Sequence, residues 1–126
     1  VPVVAAMTPF QFMSFDLNVR NAWCSVGSTE IYLRKSIRVL DGERRDKVLD
    51  LANVTVPERF RRIGLFSGIL LDTMDQAKSV GYEYMYIENV MHEWFAEHFR
   101  KGGWTQEPTP VGASLGLYLP CFYKKL

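Results

Sequence analysis

The stretch VTVPERFRRIGLFSGILL, residues 54–71, constrains this chain more than any other. Val54 and Val56 close a strand-like run, and Pro57 ends it, because proline cannot donate to a sheet ladder. A turn rich in Arg and Gly follows. Apolar residues then recur at helical spacing: Phe66, Leu70, Met74 and Ala77, flanked by Ile69 and Leu71. The pattern predicts a helix over residues 65–80 with Gly81 as its C-terminal cap. A helix entered through Arg61-Arg62-x-Gly64-x-x-Ser67 leaves its first backbone N–H groups free at the positive end of its dipole. That end is an anion site, with phosphate the usual guest. Gly64 lets a ligand approach the main chain, and Ser67 adds a hydroxyl donor. Arg59, Arg61 and Arg62 could simply be solvated surface charges, but cations at a helix N-terminus are locally unfavourable, so they make more sense beside an anion.

The rest of the chain supplies strands around this unit. Residues 1–11 form an arm or a short helical turn. Residues 12–23 alternate imperfectly, with Phe15, Leu17 and Val19 against Asp16, Asn18 and Arg20, which predicts a strand. A turn at 25–29 contains Gly27, and a second strand covers 30–40. Asp41-Gly42-Glu43 predicts a tight hairpin turn, and a third, more apolar strand covers 48–56. After the first helix comes a short strand at 84–89. A second helix at 91–101 has Met91, Phe95 and Phe99 on one face and Glu93, Glu97 and Lys101 on another. Two last strands at 104–107 and 115–123 are joined by a Pro/Gly loop, leaving Lys124-Lys125-Leu126 as a polar tail. The order β-β-β-α-β-α-β-β is that of one α+β domain, residues 1–126, with helices packed on a mixed twisted sheet. The crossover around Tyr84 requires a parallel strand pair.

Composition narrows the class. The chain has 126 residues, 48% hydrophobic and 13% aromatic, enough for one real core. A net charge of +1 gives no whole-chain case for nucleic acid or a membrane surface. No run is long enough to span a bilayer, and residues 1–7 lack the basic start of a signal peptide. Cys24 and Cys121 do not form a metal or redox spacing, so a reduced, cytoplasmic protein without a metal is expected.

Two motifs carry a family resemblance. Arg61, Gly64 and Ser67-x-x-Leu70-Leu71, after a Val-rich strand, resemble the acyl-CoA-binding motif of the GNAT acetyltransferase superfamily, Arg/Gln-x-x-Gly-x-Gly/Ala, with Phe66 standing where the family has Gly or Ala. The late helix resembles the family's Asn-x-x-Ala-x-x-x-Tyr-x-Lys-x-Gly-Phe: Lys101, Gly103 and Trp104 keep its ending, while His92, Phe95 and Phe99 stand at the Asn, Ala and Tyr positions. The resemblance covers residues 30–126. The one or two helices that the family places between its first two strands do not fit into residues 21–29, so the version is compact, and a homodimer is one way to complete the acceptor side of its cleft.

The resemblance implies a GNAT-like fold and an N-acyltransferase that takes acetyl-CoA, or another acyl-CoA, as co-substrate and passes the acyl group to an amine. The pyrophosphate would lie on the N–H groups of Arg62, Ile63, Gly64, Leu65, Phe66 and Ser67 under Arg61 or Arg62, and His92 would line the CoA site or cap its helix. Main-chain groups at residues 53–56, Val54 and Val56 among them, would pair with the pantetheine amides, with one N–H near Val54 at the thioester oxygen. The family's late-helix Tyr often protonates the departing thiolate, and Phe99 cannot. Stand-ins are His98, Tyr84, Tyr86, Tyr123 and Cys121.

For the base, Asp50 and Glu88 are the candidates: Asp50 because a carboxylate among Val48, Ala52 and Val54 is costly unless paired or functional, Glu88 because it ends the parallel strand where such clefts open. A salt bridge to a nearby Arg is the plainer account of each. Trp94, Phe95, Phe99 and Trp104 are better taken as core than as a ligand box. A catalytically silent CoA- or protein-binding module is the main alternative. A nucleic-acid-binding domain using the basic hairpin of Arg34, Lys35, Arg38, Arg44, Arg45 and Lys47 ranks below both. The acceptor and the acyl chain length cannot be read.

Overall fold

A computed structural model gives the fold. It describes residues 7–14, 19–55, 64–90, 93–108 and 119–126, with the main chain only at 53–55 and 94. The elements run α1 (Pro9–Ser14), β1 (Asn21–Val26), β2 (Thr29–Leu40), β3 (Glu43–Thr55), α2 (Leu65–Val80), β4 (Tyr84–Ile87), α3 (Glu93–Lys101), β5 (Thr105–Gln106) and β6 (Phe122–Lys125). The six strands form one sheet in the order β1-β2-β3-β4-β6-β5. All neighbours are antiparallel except β3 and β4, which are parallel, as the crossover through α2 requires.

Strand alternation separates two apolar clusters on opposite faces of the sheet. Leu49, Leu51, Met85, Ile87 and Phe122 join Phe12 and Met13 of α1, Ile69, Leu70 and Ala77 of α2, and Ala96 and Phe99 of α3 in the main core. Their neighbours along the same strands, Val48, Tyr84, Tyr86 and Tyr123, form a smaller cluster with Leu40, to which no described helix contributes. All three helices therefore pack on one face.

Local chemistry accounts for most boundaries. Asp41 (φ 54°) and Gly42 (φ 75°) make the tight turn between β2 and β3. Helix α2 has the expected ends, from Leu65 to Val80, with Gly81 in the left-handed region donating to Ala77 and Lys78 carbonyls. Its buried residues are Ile69, Leu70, Thr73 and Ala77, and the Thr73 hydroxyl is satisfied by the Ile69 carbonyl at 2.7 Å. Leu71 faces solvent at 63% exposure. In α3 the expected Glu97–Lys101 pair forms at 3.7 Å, and Arg100 bonds Glu93 at 2.7 Å.

Three expectations are corrected. The first strand does not begin at Phe12: residues 9–14 are helix α1, and β1 starts at Asn21 and runs to Val26. Thr8 and Gln11 cap that helix reciprocally, Thr8 N–H to Gln11 Oε1 at 3.0 Å and Gln11 N–H to Thr8 Oγ1 at 3.2 Å, with Pro9 at the first helical position. Strand β3 starts at Glu43, directly after the turn, because its charged first residues pair along β2. Lys124 and Lys125 belong to β6 rather than to a tail, paired with Met85 and Tyr84.

Candidate functional site

The candidate site lies where β3 and β4 part. Their pairing ends at Leu51 and Ile87, and the Glu88 N–H donates to the Leu51 carbonyl at 3.0 Å as the last link. Strand β3 runs on to Thr55 with β2 alone as its described partner. A register shift between Tyr32 and Leu33 leaves Ala52 as an extra residue on β3. Leu51 turns its main chain to β4. The one-residue insertion therefore turns the main chain of Val54, rather than Asn53, to that same open side. Helix α2 starts at this end of the parallel pair, where α/β clefts hold ligands.

Gly64 caps α2 at φ 73°, ψ 6°, with no side-chain capping bond. The first N–H groups of a helix have no intrahelical acceptor, so those of Leu65, Phe66 and Ser67 remain as donors at the positive end of a sixteen-residue helix. The Phe66 ring meets Phe95 edge-on at 5.0 Å between centroids. Of the other residues expected here, Val56, Arg61, Arg62, Ile63 and His92 lie outside the described residues.

Asp50 and Glu88 meet on the helix-free face, joined by Arg38. Asp50 is 1% exposed. It accepts the Ser36 hydroxyl at 2.7 Å, and Arg38 Nε and Nη2 at 3.0 Å and 2.6 Å. Nη2 also reaches Glu88 Oε1 at 2.7 Å, and Arg34 Nη1 reaches Glu88 Oε2 at 3.1 Å. The Arg38 guanidinium lies 3.7 Å from the Tyr86 ring centroid. Burial opposes its charge, but the bonds and field of Asp50, with Tyr86 and Glu88, outweigh burial and hold it more firmly protonated. A carboxylate as buried as Asp50 is sustained only by such partners. The signal that points to Arg38 in the sequence is the basic run itself. Which carboxylates it meets depends on two register shifts between β2 and β3.

The groups considered as proton donors differ in setting. Tyr86 bonds Glu107 through its hydroxyl; burial, that bond and Cys121 push its phenol well up, so its proton is held firmly. Tyr123, directly across from Tyr86 on β6, donates its hydroxyl to Asp41 of the β2–β3 turn. Cys121 Sγ lies 3.4 Å from the Asn89 N–H, and Asn89 adopts φ 51°. His98 is exposed on α3. Phe99 is 1% exposed and packs on Trp104, Phe122 and Phe95, as core. The basic hairpin is largely paired: besides Arg34 and Arg38, Arg44 meets Asp46 at 2.8 Å and Arg45 meets Glu43 at 3.0 Å. Among the described residues no cluster of His, Cys, Asp and Glu could hold a metal, and no helix is long and apolar enough to cross a membrane.

No protein-family model matches the chain, and no curated protein matches it by sequence. Solved structures do. A protein of Agrobacterium tumefaciens, provisionally described as an acetyltransferase, superposes with a TM-score of 0.59 at 16% identity, over 85% of this chain and 75% of that one. A Bacillus subtilis acetyltransferase solved in complex with CoA gives 0.57 at 16% identity, over 82% and 74%. A GCN5-related N-acetyltransferase of Kribbella flavida gives 0.57 at 14% identity, over 78% of this chain and 60% of that one. The six-stranded mixed sheet with its parallel β3–β4 pair and helical crossover is the GNAT acetyltransferase fold.

Proposed function

We propose that the chain is an acyl-CoA-dependent N-acyltransferase that moves an acetyl or other acyl group to an amine by direct attack. The observation that carries the reading is the parting of β3 from β4 after Leu51, at the end where α2 opens on the left-handed Gly64. That geometry offers main-chain donors with no partner among the described residues along a cleft, and an anion-binding helix end at its mouth, as a thioester joined to a pyrophosphate requires. In this reading the N–H groups of residues 62–67 and the guanidinium of Arg61 or Arg62 hold the pyrophosphate. The main chain of Val54 and Val56 pairs with the pantetheine arm, and His92 borders it. An N–H near Val54 stabilises the oxyanion as the amine nitrogen bonds to the thioester carbon. Glu88, directly or through water, takes the proton of the ammonium, while Asp50, expected as the other candidate base, is closed off by Arg38 and Ser36; the C–S bond then breaks and CoA leaves as a thiolate that takes a proton from water. The two cysteines stand free, which suits the cytoplasmic setting that belongs to the same proposal. A homodimer that completes the acceptor wall belongs to it too.

The deciding experiment is a thermal shift with acetyl-CoA, using Arg61→Ala/Arg62→Ala as control. At a hundred times its dissociation constant a ligand adds about 2.7 kcal/mol, a readable shift for a domain of this size. A shift in the native chain that the double variant loses supports the reading; no shift at millimolar ligand refutes it. Burial of Phe99, where a hydroxyl would otherwise stand, favours a second reading, a CoA-binding module without chemistry. Single-turnover acetyl transfer to any amine, including a lysine of the chain itself, would exclude that second reading.

A further inference from the structure

The two carboxylates on the helix-free face are held in different ways. Asp50 is sealed, and both its oxygens are bonded: Arg38 Nε lies 3.0 Å and 3.1 Å from them, Nη2 2.6 Å from Oδ2, and the Ser36 hydroxyl 2.7 Å from Oδ1. A guanidinium is planar, with its N–H groups in a fixed fork. With Asp50 along one edge and the Tyr86 ring 3.7 Å from its carbon, the Arg38 group has one orientation. Its Nη2 then fixes Glu88 Oε1 from the inside at 2.7 Å. Arg38 is 27% exposed and Glu88 16%.

The other oxygen of Glu88, Oε2, takes Arg34 Nη1 at 3.1 Å, a nitrogen that also lies 3.4 Å from Oε1, on a side chain that is 46% exposed and lies against the Tyr32 ring at 5.3 Å. An exposed ion pair is worth little and exchanges readily, whereas a buried one is costly to break. Glu88 thus has a permanent cation inside and a replaceable one outside. A protonated amine that takes the outer place leaves the local charge unchanged.

We propose that Arg38, anchored by Asp50 and Tyr86, is a positioning residue that fixes Glu88, and that Arg34 occupies the place on Glu88 Oε2 that the ammonium of a cationic primary-amine acceptor takes. The inference rests on the acyltransferase reading, because the Glu88 N–H is the last link between β3 and β4, so that an ammonium on Oε2 approaches the parting of the two strands from the sheet face opposite α2. It names the acceptor class: a primary amine that carries a positive charge, for which spermidine is the probe, rather than a neutral or acidic one.

The test is a pair of NMR titrations of the ¹⁵N-labelled chain, one with spermidine and one with acetyl-CoA. Thermal melts confirm that each variant is folded. Spermidine is expected to shift the amides of Glu88 and Asn89 in the native chain. Arg34→Met is expected to bind it about three- to tenfold more tightly, because the competing cation is gone and more of the population is competent. Glu88→Gln is expected to abolish the shifts at those amides. Arg38→Lys keeps a charge but not the fork, and is expected to weaken binding about threefold, with Arg38→Met weaker still. If Arg38→Met does not fold, Arg38→Lys carries the comparison. Equal affinity in the native chain and Arg34→Met, retained shifts in Glu88→Gln, native-like binding in Arg38→Lys, or no spermidine binding at all each overturn the proposal. The acetyl-CoA titration separates the two ideas: its failure refutes the acyltransferase reading, while the spermidine series still decides the clamp.

Discussion

Two glycines four residues apart on α2 should respond to alanine with opposite signs. Gly64 caps the helix at φ 73°, and a Cβ there meets no described atom within 4 Å. Gly68 lies inside α2, and its Cβ would also meet no described atom within 4 Å. Among the described residues neither substitution therefore creates a clash or fills a gap, and the backbone decides the outcome. A left-handed conformation costs a residue with a Cβ about 1–2 kcal/mol. The alanine chain gains back about 0.4–1 kcal/mol because its unfolded state is less free. Gly64→Ala should therefore lower stability by about 1 kcal/mol. In a helix interior alanine is better than glycine by about 0.5–1 kcal/mol, so Gly68→Ala should raise it by that much. The gap between the variants is then about 1.5–2 kcal/mol, measurable from urea midpoints at unchanged m-value. Changes of the same sign would refute the argument, since it makes backbone conformation at residue 64 the whole cause. The same pair probes function. Gly64→Ala should also weaken the stabilisation by acetyl-CoA, while Gly68→Ala leaves it in place.

Other consequences can be checked with ordinary solution methods. Burial and the bond to Asp41 push the Tyr123 phenol from 10.0 up to about 12. Its folded value lies above its unfolded one, so its contribution is complete below about pH 10 and is lost as pH rises through about 12; the urea midpoint of native protein should fall across that window more steeply than that of Tyr123→Phe. Burial pushes the Cys24 thiol up to about 11, while Cys121 is only half-buried; a thiol reagent at pH 8 should modify one cysteine quickly and the second only on unfolding. Phe99 is core, so Phe99→Ala should cost about 3–5 kcal/mol. Phe99→Tyr should cost about 1–3 kcal/mol by burying an unpaired hydroxyl, without raising the rate of acyl transfer. A Phe99→Tyr enzyme faster than the parent would place that ring at the chemistry rather than in the core.

How much was legible in the sequence follows from the range of the interactions involved. Helix α2 was readable to the residue because all its determinants are local: an apolar stripe and two glycines at its ends. The turn at Asp41-Gly42 was readable for the same reason. The strand expected from Phe12 failed through a local signal that was outweighed. Thr8-Pro9-x-Gln11 is a capping box with proline at its first helical position, and it makes residues 9–14 a helix where the strand was expected to begin. The site divides along the same line. Gly64 could be named from its neighbours, and Asp50 and Glu88 could be singled out as carboxylates needing a partner. That one guanidinium serves both could not, because residues 38, 50 and 88 meet only once β2, β3 and β4 are in register. A one-residue slip of β2 against β3 would turn Arg38 onto the helix-covered face and leave Asp50 a buried, uncompensated charge. The Asp50–Arg38 pair is thus a lock on sheet register as well as a support for Glu88. The same two side chains that orient the carboxylate also exclude the nearest wrong fold.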